Sequence, residues 1–462
     1  MLSLLLACTP ATLQFDDALG TGGPAAVDTG AADDTGEPVT GPVFESISVD
    51  VNEDVGSVVE VRWDQLREAE VQAFYSWDDE HWYQTPTVAR GEGAQEQLVL
   101  GVPYGTEVEV MLVGGGEQSE SFVITTDDPP EGAPIPEVLS ALPEQWDEDV
   151  DYVFGGFGAA YGNGDYWAFI IDRKGRLVWL YRAPSSRIIL HPRVSWDGTS
   201  LLVDHNSYWG AWDGGTQSEV VALKIDGSVA HTYDTPGLHH PFTDLPDGSL
   251  AWGVMSGEDE TLEILRPDGT QERLWTCKDF LNEIGERDYC GSNTLTYVEE
   301  HDSFLFSFYS LDSVIEISHA TGDELRWFGH IEGAYDFSPF DSSFWWQHGA
   351  HYTDSGTFMV STKDQAGGNE TIVREYEVDD GAQELVEVWS FGDEEGIYGD
   401  NLGEAWKLPG GNVLHNYGQA GRLREVTPDG TVVWDVVWNA AAVQWLGRTT
   451  GISDLYAFLP EE

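Results

Sequence analysis

The chain has 462 residues, more than one hydrophobic core usually holds, so two folded units or one repeat array are expected. Its 82 acidic against 21 basic residues leave a formal charge of −61, a surface that argues against nucleic acid and anionic membrane as direct partners. Dense aromatics (19 Trp, 18 Tyr, 19 Phe) with 52 Gly favour an all-β chain, and no stretch is long enough for a transmembrane helix.

In chain order, Leu5-Leu6-Ala7-Cys8 follows an apolar start and resembles a lipobox, with Cys8 as the acylated residue. The segment is short and lacks a basic n-region. The reading for residues 1–8 is a lipoprotein-type signal remnant, which puts the protein in the cell envelope (outer membrane or periplasm) or outside the cell. Residues 9–41 are mostly Thr, Ala, Gly, Asp and Pro. They hold too few large apolar residues for a core and read as a disordered acidic tether.

Residues 42–127 change character. Val49-Asp50-Val51, Val58 to Trp63 and Val108 to Val113 read as strands, with a turn at Pro103-Tyr104-Gly105-Thr106. About seven short strands fit here, as in a β-sandwich with Trp63 in its core. The stretch looks like a fibronectin type III module, a spacer or homo-oligomer contact. Residues 128–150 form a Pro-rich linker.

From 151 to 462 a repeat takes over. A turn leading to Trp recurs as Asp172 to Trp179, Pro267-Asp268-Gly269 to Trp275, Thr321-Gly322 to Trp327, Asp380-Gly381 to Trp389 and Pro428-Asp429-Gly430 to Trp434. Between these turns lie hairpins: His191 to Val203, His240 to Gly253, Asn293 to Tyr309, His348 to Thr362 and Gly403 to Tyr417. A spacing of roughly 50 residues matches a four-stranded propeller blade. With strands around 152–182 and 440–458 closing one more unit, the expected fold is a six-bladed β-propeller preceded by a small β-sandwich.

Innermost strands of a propeller line its central channel, so equivalent positions of successive blades meet there. His240 lies eight residues before Gly248, His348 eight before Gly356, and Asn293 eight before His301. Gly403, beside Glu404, lies eight before Gly411. A ring of His240, Asn293 and His348 follows as a geometric expectation. His191 lies seven before Gly198, so its facing is open to a one-residue slip.

Asp172 to Trp179, His239-His240 with Leu245-Pro246-Asp247-Gly248, Gln347-His348, and Gly447-Arg448 followed by Leu455-Tyr456 keep an order and spacing over roughly 300 residues that resembles the bacterial arylsulfate sulfotransferase family. The resemblance implies His348 as a nucleophile that carries a sulfuryl group from an aryl sulfate to a phenol. It also implies His240 as a donor to sulfuryl or phenolic oxygen. No cofactor is implied, the donor being an activated ester independent of a nucleotide sulfate.

Two positions depart from the family's pattern. Gly291 in Asp288-Tyr289-Cys290-Gly291-Ser292-Asn293-Thr294 stands where a second helper histidine is expected, and Tyr309 stands where the family carries arginine. Tyrosine donates one hydrogen bond but brings no fixed charge. Lys363, His191 and His205 are candidates to compensate, with Lys363 beside Asp364 equally readable as an exposed turn pair. Asn293, Tyr309, Lys363, His191 and His239 complete the expected substrate-binding set. Cys277 and Cys290, 13 apart, are candidates for a disulfide in a secreted context.

Two alternatives come from the residues themselves. One is a non-catalytic propeller binding an aromatic or carbohydrate ligand on Trp209, Trp212, Trp345 or Trp346. The other is a metal site from His239, His240, His348 and His351, disfavoured because a strand points His348 and His351 to opposite faces.

Overall fold

The computed structural model describes residues 41–78, 81–158, 165–439 and 443–460. Cys8 and the acidic tether to residue 40 lie outside them. The chain divides into two units, Met1–Pro129 with Asp454–Glu462, and Pro130–Ser453.

The first unit is a β-sandwich. Strands Phe44–Val51, Val59–Gln65 and Gly93–Val99 form one sheet, and Ala69–Ser76 and Glu107–Gly114 lead the other. Alternation sends Val59, Val61 and Trp63 from one sheet and Val71, Ala73, Val108, Val110 and Leu112 from the other into a shared core. The C-terminal turn Leu455–Phe458 belongs here, with Leu100 N–H donating to the Tyr456 hydroxyl at 3.1 Å.

The second unit is a β-propeller, and its described residues hold six antiparallel sheets of four consecutively paired strands each. The first sheet runs Leu177–Arg182, Tyr166–Asp172, Tyr152–Gly158, and takes Trp445–Ile452 from the chain's end as its innermost strand. The next five begin on innermost strands Arg193–Val194, Leu238–Asp244, Ser292–Val298, His348–Tyr352 and Glu404–Lys407. Glu137–Ala141 and Asp336–Ser338 add outer strands to the sixth and fifth sheets.

Each sheet carries a register shift at the same place, between its third and fourth strands: Ile170/Ile171, Ala222/Leu223, Leu262/Glu263, Glu316/Ile317, Glu375/Tyr376 and Glu425/Val426. A bulge there sharpens local twist. The tryptophan that marks the repeat also has a physical reason. Trp179, Trp389 and Trp434 donate their indole N–H to the carbonyls of Ile225, Pro428 and Arg173, each at 2.9 Å and each on the following sheet. Trp275 reaches Glu324 of its neighbour in the same way. The tryptophans are stitches between sheets, and Trp434 to Arg173 closes the circle.

Innermost strands are tied around that circle as well. Asn206 donates to the His239 carbonyl (2.9 Å), Gly349 N–H to Thr294 Oγ1 (3.0 Å), and Arg448 N–H to the Leu190 carbonyl (2.9 Å). Ser292 N–H donates to Glu260 at 2.7 Å. The helix Cys277–Ile284 fills the connection before the fourth sheet, and a disulfide joins Cys277 to Cys290 with Cα atoms 6.2 Å apart.

Candidate active site

His191, His240, His348 and Glu404 all sit at or near the starts of innermost strands, so the circular fold gathers them at one end of the ring. The backbone around His348 is held on both sides. Gln347 is fully buried and its amide donates to the carbonyls of Phe308 (3.2 Å) and Ser313 (2.9 Å). Its own carbonyl accepts from Asn293 Nδ2 at 2.6 Å. Gly349 adopts φ +65°, and a Cβ there would lie 2.4 Å from that of Glu404, so glycine is required. Trp346 takes the left-handed φ of +51°, and its N–H donates to Asp312 at 2.7 Å. Such strain in a bulky residue persists only where surroundings over-determine it.

This cradle sets the histidine's chemistry. His348 Nδ1 lies 3.1 Å from the Trp346 carbonyl oxygen. A carbonyl only accepts, so Nδ1 carries the proton and Nε2 keeps its lone pair, a tautomer assigned from the network. The ring is half-buried, yet enclosure by protein and the nearby Lys363 cation lower its pKa to about 4, with the Trp346 carbonyl opposing. With its pKa so lowered, the ring is neutral at ordinary pH.

His240 is half-buried and its ring centroid lies 6.1 Å from that of His191. Both are pushed well below the usual imidazole pKa by burial first, and both feel His348. Behind His240 stands His239, 1% exposed, with the two Nδ1 atoms 2.9 Å apart. The buried Glu260 carboxylate lies 3.9 Å from His239 Nδ1 and favours the proton on that atom. His239 then donates to His240 Nδ1, which leaves His240 an N–H donor at Nε2. His239 itself packs under Tyr208 and Trp209, at 4.9 and 5.2 Å, and acts behind the site.

Other expected residues sort differently. Asn293 is 1% exposed and its amide donates to the Gln347 backbone carbonyl, so it ties two sheets rather than standing open to a substrate. Lys363 is no exposed turn residue. It ends the buried strand Phe358–Lys363, donates to the Gly399 carbonyl, and lies 4.5 Å over the Tyr398 ring. Burial lowers it to about 8, while Asp400 and Asp364 work to keep it charged. His205 pairs with Glu219 at 2.9 Å and Tyr181 at 3.0 Å, away from this cluster. His351 stacks on Trp406 at 4.1 Å and donates Nδ1–H to the Gly349 carbonyl at 2.9 Å. Among the described residues no three His, Cys, Asp or Glu side chains are grouped to hold a metal ion.

The departures at Gly291 and Tyr309 are one change. A Cβ on Gly291 would lie 2.6 Å from the Tyr289 ring and 2.9 Å from the Tyr309 hydroxyl. Two tyrosines fill the space of a side chain at 291. Burial, then the Tyr289 hydroxyl, raise the Tyr309 pKa, so the phenol keeps its proton as a neutral donor. Tyr309 also meets Trp346 at 6.3 Å, and Trp209 meets His240 at 5.4 Å and Trp212 at 5.5 Å, giving the histidines aromatic neighbours on two sides. Gly291→His is therefore expected to destabilise the protein by about 1–3 kcal/mol through overpacking. Chemical denaturation checks this. Adding Tyr289→Ala and Tyr309→Ala should restore part of the loss, and a Gly291→His protein as stable as its parent would refute the filled-space account.

Two cations escaped sequence reasoning, Arg193 and Arg448. Arg448 sits on the strand supplied by the chain's end, which has no hairpin of its own to set a register. A clue was present in Gly447-Arg448, but only as a recurrent ending.

Solved structures resemble the chain at low identity. A protein of unknown function from Bacteroides caccae is 14% identical, covering 64% of this chain and 98% of its own, with a TM-score of 0.43. A virginiamycin B lyase from Staphylococcus aureus is 12% identical over 65% and 87%, with a TM-score of 0.37. A putative 6-phosphogluconolactonase from Bacteroides fragilis is 13% identical over 82% and 98%, at 0.40. No curated protein matches the sequence. The family model described as arylsulfotransferase (ASST) matches residues 160–445, more than half of the sequence, and the chain belongs to that family.

Proposed function

We propose that the protein transfers a sulfuryl group from an aryl sulfate to a phenol through a sulfohistidine on His348. One observation carries this reading: His348 Nδ1 lies 3.1 Å from the Trp346 carbonyl, an acceptor that assigns the proton to Nδ1 and leaves Nε2 for attack. In the first half, Nε2 forms a bond to sulfur while the S–O bond to the aryl ring breaks, its electron pair leaving on the phenolate. Positive charge on the sulfated ring is shared with the Nδ1–H that Trp346 holds. In the second half, the acceptor oxygen attacks sulfur, and the N–S pair returns to Nε2. The proton lost by the acceptor phenol balances the one taken up by the departed phenolate. A weakly basic imidazole suits both halves, being unprotonated beforehand and a good leaving group afterwards.

His240, with Nδ1 accepting from His239, donates Nε2–H to a sulfuryl or leaving oxygen. Lys363 supplies positive potential from the His348 side, and Tyr309 a neutral hydroxyl. Fixed donors of this kind stabilise developing charge more than any other single factor.

The test is release of nitrophenol from 4-nitrophenyl sulfate with and without an added phenol. Acceptor-dependent release, with the sulfated acceptor as product, is the expected result. Release that ignores the acceptor would make the protein a hydrolase. Silence across a panel of aryl sulfates would leave a propeller that binds an aromatic or carbohydrate ligand without transfer.

A further inference from the structure

We infer that Arg448, with Arg193 and His191 beside it, forms a binding site for a compact tetrahedral monoanion of the sulfate-ester type. In this chain the site supplies the cation that is missing at Tyr309. The proposal rests on the sulfuryl-transfer reading for what the anion is attached to, and not for anion binding itself.

Arg448 is 5% exposed, and its buried Nε has no hydrogen-bond partner among the described residues. The nearest carboxylate, Glu404, stands 3.7 Å from Nε, and its other oxygen already accepts from Thr449 N–H. Arg193 is similar. Its Nη1 donates to the Phe242 carbonyl at 2.8 Å, but its nearest carboxylate, Asp244, is 3.9 Å away. Three arginines elsewhere in this acid-rich chain are held by carboxylates. Arg422, Arg424 and Arg326 each bond carboxylates at 2.6–3.1 Å. A buried guanidinium without a bonded acceptor is costly, and persists where a ligand completes it.

The surroundings orient both groups. Arg448 lies 4.4 Å over the Trp406 ring, which also carries the His351 ring. Its backbone N–H donates to the Leu190 carbonyl at 2.9 Å, which brings His191 alongside. His191 is 7% exposed and its Nε2 has no partner. It faces His240 at 6.1 Å, so an anion between Arg448 and His191 lies on the histidine side of the ring. After burial itself, Arg448 is the largest influence holding His191 neutral. Two arginines against Asp244 and Glu404 leave no large local excess of charge. That balance suits a monoanion better than a multiply charged phosphate. The guanidinium fork matches two oxygens of a tetrahedral group.

The experiment measures binding, with turnover blocked. In the full chain carrying His348→Ala, phenyl sulfate and inorganic sulfate are titrated by calorimetry at fixed ionic strength, with and without Arg448→Gln. Affinity for phenyl sulfate should fall by ~10–100-fold in Arg448→Gln, the loss expected for charge-assisted bonds. Arg448→Lys, which keeps the charge and the stem over Trp406, should fall between. It also serves as the test should the glutamine variant fail to fold. Unchanged affinity in either folded variant, or a parent that binds neither sulfate, would overturn the proposal. Arg448-dependent binding in a protein that transfers no sulfuryl group would keep the anion site and discard the transfer reading.

Discussion

His348→Ala is expected to abolish acceptor-dependent sulfuryl transfer, a fall on the order of 10⁴-fold or more, because the nucleophile's whole covalent route is removed. The fold should survive. His348 is half-buried, and among the described residues its side chain makes one hydrogen bond, to the Trp346 carbonyl, so truncation costs about 1 kcal/mol by the usual worth of such a bond. The cradle does not depend on the imidazole either. Gln347 is held by Phe308, Ser313 and Asn293, and Gly349 by Thr294. Circular dichroism and the thermal midpoint should match the parent while release from 4-nitrophenyl sulfate disappears. A His348→Ala protein that still sulfates a phenol would sink the assigned role, whatever its stability. His240→Ala should be milder, about a hundredfold, since it removes one donor to developing charge and leaves the nucleophile intact.

The propeller was legible because its stitches are chemically distinctive. A tryptophan a few residues past a turn glycine repeats because each indole must reach the next sheet's backbone, as Trp179, Trp389 and Trp434 do. Counting back from turn glycines also found His240 and His348, since hairpin length fixes where an innermost strand begins. The method weakens where strands bulge. A register shift between Leu238 and Phe242 lets His239 and His240 meet edge to face at 4.0 Å instead of pointing apart. Another, between Ser292 and Thr294, accompanies the inward turn of Asn293 toward Gln347. Lys363 beside Asp364 reads equally as a surface pair, because nothing local reveals that Tyr398 and Gly399, the latter 36 residues on, cover it. Arg448 lay hidden for the opposite reason: its strand pairs with one nearly 300 residues earlier, so no local pattern records which way the side chain turns. Long-range pairing is where single-sequence periodicity runs out.

Lowering the pH from about 7 to about 4.5 is expected to remove several kcal/mol of folding stability, through histidines rather than carboxylates. His191, His205, His351 and His415 are all buried. Burial is the leading cause that holds His351 at about 4 and His415 at about 3, and that lowers His191 and His205. Half-buried His240 and His348 are shifted the same way. In the unfolded chain each titrates near ~6.5. Between that value and the folded pKa, the unfolded state binds protons that the native state refuses, so stability rises with pH and is lost as pH falls through the window. A tenfold difference in proton affinity between the two states corresponds to about 1.4 kcal/mol. Three carboxyls, buried Asp204 and Glu404 and half-buried Asp312, act in the opposite sense. Asp204 is pushed up to about 7 and Glu404 and Asp312 are raised, all chiefly by burial, so they favour the native state as pH falls. Six histidines against three carboxyls leave a net loss. Paired carboxylates such as Glu316, held below its ordinary value by Arg326 against the effect of its own burial, lose their contribution only at lower pH. Urea denaturation at about pH 7 and about pH 5 isolates the histidine contribution, since the loss it causes is already large at the lower value while those paired carboxylates stay ionised. Equal unfolding free energies at both would refute the account. So would a His351→Gln, His415→Gln double variant that keeps the full pH slope. The same burial that is expected to make the protein acid-sensitive also keeps the His348 ring unprotonated at neutral pH.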